Sequence, residues 1–203
     1  EQNRSDNLSK SGDLRSEEGA VSALRAESKA AADDRAGPVN FRLKDADATL
    51  RLFLSTFIIV LTIGYSVGLF FVEHTTALSS RGIQEQMLGN GDSDGAQEIR
   101  YAKSTHEMYV FIHNHVLSLA LAFFVVGAIF YFSSLVSERM KRLLVVEPLV
   151  AVVTTFGGIA LVRFVSPGFS WLVLVSGISL FLSYFAMVFL ILKELWFTKR
   201  SST

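Results

Sequence analysis

Apolar and polar positions segregate along this chain by region. From Leu50 onward, four stretches stay apolar for about 20 residues or more, the length that crosses a bilayer. They are "LFLSTFIIVLTIGYSVGLFFV" (52–72), "MYVFIHNHVLSLALAFFVVGAIFYFSSLV" (108–136), "LLVVEPLVAVVTTFGGIALV" (143–162) and "FSWLVLVSGISLFLSYFAMVFLIL" (169–192). Backbone amides in hydrocarbon must find partners inside their own segment, so each stretch is predicted to be helical. A single run of this kind would also suit a buried helix of a soluble protein. Four of them leave too little polar surface for one. The connections after the second and third runs are short, which forces antiparallel neighbours. The predicted fold class is therefore all-α: an integral membrane antiparallel four-helix bundle with a polar N-terminal tail.

The pattern divides the chain into residues 1–48, polar and of mixed charge, and residues 49–203, which carry the four spans and an outer loop over 73–105. The first 36 residues read either as a flexible tail or as an arm ordered by a partner. No apolar stretch precedes Leu50, so nothing there reads as a signal peptide. Within the loop, "LSSRGIQEQMLG" (78–89) suits a short helix with Ile83, Met87 and Leu88 on one face. "GNGDSDG" (89–95) resembles the front half of a calcium loop beginning at Asn90, but Tyr101 stands where the bidentate Glu is needed, so an ordinary turn is the favoured reading.

Charge adds orientation. Arg42, Lys44, Arg51, Arg139, Lys141, Arg142, Lys193, Lys199 and Arg200 would lie on one side, against Arg81, Arg100, Lys103 and Arg163 on the other. Cytoplasmic loops concentrate Lys and Arg. Both termini are thus expected on the cytoplasmic or matrix side of a bacterial or mitochondrial inner membrane. Trp171 and Trp196 would anchor opposite ends of the fourth span. Gly64 and Gly68, Gly157 and Gly158, and Ser176, Gly177, Ser179 and Ser183 would let helix backbones approach closely.

The candidate chemistry is concentrated in "HEMYVFIHNH" (106–115), which holds three of the four histidines. His106 and His113 are seven positions apart and share a helical face, whereas His115 points away from His113, so the two cannot chelate one ion. His74, at the outer end of the first span, is the one histidine from another helix. The candidate ligands for a b-type haem, a quinone or a metal are therefore His74, His106 and His113, with Glu73 or Glu107 as possible metal partners. The favoured reading is that these bind no cofactor and are interfacial side chains, with His113 or His115 bonding a neighbouring helix beside Asn114 and Ser118. Glu147, before Pro148, is expected near the inner end of the third span, anchored by Arg139, Lys141 or Arg142. Arg163 is expected to pair with Glu73, Glu107 or lipid phosphate. A proton relay through Glu147 is disfavoured because no second buried acid is visible.

Several function classes drop out. The chain has no cysteine, which excludes disulfides, thiolate metal sites and covalently attached haem. There is no nucleophile elbow, phosphate loop or basic tract for nucleic acid. "TTFGG" (154–158) lies inside a span and reads as packing.

From the outer loop onward, "LGNGD", "YAKSTHE", "HNH", "EPLVAVVTTFGG" and "VRFVSP" resemble a family of small bacterial four-span membrane proteins of uncharacterised function, over roughly 88–167. The resemblance implies architecture and no mechanism. Taken together, the chain reads as a non-catalytic accessory or scaffold subunit. Its expected surroundings are the lipid bilayer and other membrane subunits, with a respiratory or photosynthetic complex as the expected host. The alternative is a small electron-transfer protein carrying haem b or quinone. A transporter is disfavoured, because the spans hold few polar groups and show no inverted repeat.

Overall fold

The computed structural model describes residues 24, 25, 27–29, 41–91 and 99–198. The expectations for residues 1–36 and for most of "GNGDSDG" fall largely or wholly outside them. Residues 1–40 form one unit, in which the described residues are helical and exposed; residues 41–203 form the other. Among its described residues the second unit holds five α-helices: α1 (Ala48–Thr76), the short α2 (Ser80–Leu88), α3 (Thr105–Tyr131), α4 (Glu138–Phe164) and α5 (Ser170–Phe197). At 1.5 Å per residue the four long helices each run about 40 Å, longer than the ~30 Å hydrocarbon core.

Each long helix starts where a side chain can satisfy the first amides or the preceding turn can replace it. Asp47 accepts from the Leu50 amide at 2.8 Å, and Ser137 caps α4. Ser104 and Glu107 form a reciprocal capping box at the start of α3, the Glu107 carboxylate taking the Ser104 amide at 2.7 Å. α5 follows directly on the Pro167–Phe169 turn. α4 begins at Glu138, because the charged "ERMKR" turn is itself helical. Pro148 therefore sits about three turns inside α4, where it removes one ladder hydrogen bond.

α4 and α5 form the centre. Gly158 lies close enough to Val173 that an added Cβ would meet its Cγ2 at 2.9 Å, and Thr155 donates to Ser176 across the pair at 2.8 Å. α3 packs on α4, while α1 leans mainly on α5 through aromatics: Tyr65 stacks on Tyr184 with centroids 4.1 Å apart, and Phe123 of α3 meets both rings edge-on. The expected close approaches divide accordingly. Gly158, Ser176 and Ser183 are buried, whereas Gly64, Gly68, Gly157 and Gly177 have nothing within 4 Å of where a Cβ would stand.

The bundle has two differently built ends. At the tail end, Leu43 and Ala46 are buried, the Leu43 amide donates to the Phe132 carbonyl at 3.1 Å, and Arg51 bonds the Lys44 and Ala46 carbonyls. Packed residues thus lie inside the stretch that composition assigned to the tail. At the loop end, α2 lies across the bundle with Ile83 and Met87 buried. Its Gln84 donates to Ser170 and to the Pro167 carbonyl. Phe53, Phe70, Leu121, Val153 and Phe189 are each more than 60% exposed. An apolar surface of that extent is stable against lipid and not against water.

Candidate functional site

The polar side chains inside the spans sort into three places. The first is Glu194, fully buried at the tail end of α5. Its carboxylate accepts from the hydroxyls of Ser133 and Ser134, the latter at 2.7 Å, and from the Ser134 amide at 2.9 Å. The connection between α3 and α4 is thereby tied to the end of α5. The sequence reading stopped the fourth span at Leu192 and saw no second buried acid; Glu194 corrects that. A signal was present, since Glu194 continues the helical stripe of Leu180, Tyr184, Met187 and Ile191, all buried.

The second is Glu147, half-buried where α4 faces the middle of α5. Its two oxygens accept from the hydroxyls of Ser179 and Ser183, one turn apart on α5. The expected partners do not reach it. Arg139, Lys141 and Arg142 lie eight, six and five positions earlier, off the i−3 and i−4 neighbours, and Lys141 pairs instead with Glu138 at 3.0 Å. The position of Glu147 along the bundle is thus that of the middle of α5.

The third is the histidine region. His74 in the last turn of α1, His106 at the start of α3, and His113 seven positions further on are all exposed. Among the described residues, no three of His, Asp and Glu come together in a group able to hold a metal ion. His115 places its ring against Phe111 and Phe156, at 4.2 and 5.3 Å between centroids, and Nδ1 lies 2.8 Å from the Phe111 carbonyl. Ser118 donates to the Asn114 carbonyl at 2.6 Å. These bonds are therefore within α3, and none crosses to a neighbour. The amide side chain of Asn114 and the imidazole of His113 have no hydrogen-bond partner among the described residues.

Arg163 meets neither Glu73 nor Glu107. It donates to the Lys103 carbonyl at 2.7 Å, with its guanidinium 5.6 Å from the Phe164 ring. Glu107 is occupied as the α3 cap, which the spacing "STHE" could have signalled. Asn90, proposed as the first calcium-loop position, accepts from the Arg100 amide at 2.8 Å and closes the base of the loop.

Taken together, these contacts fasten helices and loops to one another. No curated protein and no solved structure matches the chain. A family model described as a transmembrane helical domain matches residues 77–202, from the turn after α1 through α5. With more than half of its length so matched, and with four helices long and apolar enough to cross a membrane, the chain belongs to the Aq_1264_TM family of transmembrane helical domains.

Proposed function

We propose that this protein is a non-catalytic accessory or scaffold subunit, one that holds partner helices against the outward faces of α1 and α3. The observation that carries this reading is Asn114. It lies about 14 Å along α3 from Thr105, on an exposed face, with its amide unpartnered and His113 beside it. An amide left bare in hydrocarbon costs several kcal/mol, and a neighbouring helix that hydrogen-bonds it removes that cost. Burial supports the same faces: 11% of the apolar window of α1 and 17% of that of α3 are buried, against 44% and 39% in the last two spans. Gly64 and Gly68 leave an open track on α1 for another backbone.

Cross-linking in native membranes, followed by native gels in mild detergent, tests this. The wild type should migrate as an assembly larger than its 22.4 kDa chain, and Asn114→Leu should release it. A wild-type chain that runs alone, with no cross-linked neighbour, refutes the proposal. The alternative, a haem b or quinone carrier using His74, His106 and His113, draws less support from three exposed rings. A reduced-minus-oxidised spectrum with a b-type α-band that disappears in His113→Ala would favour it.

A further inference from the structure

An apolar groove of about 300 Å3 runs between α3 and α4 toward the tail end, lined by Phe123, Gly127, Tyr131, Phe132, Val145 and Leu149. Its two walls are formed by residues a turn or two apart on each helix, so it follows the helix axes as a channel open to the lipid side, where Tyr131 is 63% exposed. Gly127 makes the floor: a Cβ there would meet only the Val145 side chain, with Cγ1 at 3.5 Å and Cγ2 at 3.9 Å. The α4 wall continues beyond the groove. Leu149, Val145 and Lys141 follow at intervals of four on one stripe, a run of about 12 Å from the apolar floor to a cation.

The mouth is basic. Lys141 Nζ lies 5.8 Å from the centroid of Tyr131, and among the described residues its carboxylate contact is Glu138. Arg139 and Arg142 are exposed on the same turn, and exposed Arg42 adjoins Leu43, which is bonded to Phe132 of the groove wall. A chain-width apolar slot ending in a cationic rim complements an amphiphile with a hydrocarbon tail and an anionic head. We propose that the groove holds an acyl chain of an anionic phospholipid, with its phosphate at Lys141 and Arg142. This inference does not rest on Asn114, Gly64 or Gly68, although the groove shares α3 with the proposed docking face.

The test is lipid retention by the full chain in mild detergent, read by native mass spectrometry after titration with phosphatidylglycerol or phosphatidylcholine. The wild type should retain phosphatidylglycerol about tenfold better. The double substitution Lys141→Gln and Arg142→Gln should erase the preference. Gly127→Leu, which fills the floor, should lower retention of both lipids, and Val145→Trp should do the same from the other wall if Gly127→Leu fails to fold. Equal retention of the two lipids by the wild type overturns the proposal. So does retention unchanged by floor and mouth substitutions alike, which would indicate annular lipid only. A photocrosslinker at Leu149 that captures polypeptide in native membranes would assign the groove to a protein helix and overturn the proposal as well.

Discussion

Two carboxylic side chains within the spans survive because hydroxyls and amides come to meet them. Removing a buried acceptor strands its donors, at about 1–3 kcal/mol for each group left unsatisfied. Glu194→Ala orphans the hydroxyls of Ser133 and Ser134 and the Ser134 amide. It should lower the unfolding temperature in detergent markedly, and Glu194→Gln, which keeps one acceptor, should lower it less. At Glu147 the asymmetry between breaking a network and deleting it makes a sharper test. The pair Ser179→Ala and Ser183→Ala should destabilise by about 1–3 kcal/mol. Adding Glu147→Leu to that pair should recover most of the loss. If the triple variant is as stable as wild type yet fails to support the native assembly, Glu147 serves function and not stability, as intramembrane acids commonly do. Neither contact could be read from the chain, because the serines lie 32 to 61 positions from the acids they serve.

Helices, their number and their antiparallel order were legible from apolar run length, and the helix in the loop from the spacing of Ile83 and Met87. Which glycines matter was not. Small residues at interfaces look alike in sequence whether they face a neighbour or lipid. Gly157 and Gly158 are adjacent, yet only Gly158 is pressed on α5. Gly158→Leu should cost about 1–3 kcal/mol by overpacking, while Gly157→Leu should leave thermal stability nearly unchanged. Gly82 is more demanding still, since a Cβ would fall 1.9 Å from the Thr76 carbonyl oxygen. Gly82→Ala should lift α2 from the bundle. Hydrogen exchange should then rise across 80–88, while α4 and α5 remain protected.

At the scale of the whole molecule, four spans bring residues at the start of α1 and the end of α5 to one side, with the α2 loop on the other. The chain has no native cysteine, so single cysteines are clean reporters. Ala48→Cys and Thr198→Cys should label from the same side of sealed vesicles, and Tyr101→Cys from the opposite side. Opposite labelling of the first two would undo the topology. By itself the sequence determined that this chain lives in lipid, as four antiparallel helices, because hydrocarbon imposes a length and an internal hydrogen-bond rule that any apolar run must obey. Only the tertiary structure decided what most of the polar minority does: Arg163 holds the loop, Glu147 and Glu194 tie α4 and the α3–α4 connection to α5, and Asn114 is left facing outward. The physical reason is that a polar side chain in a membrane is governed by the single neighbour that satisfies it, and that neighbour comes from helix rotation and crossing, which run length does not encode.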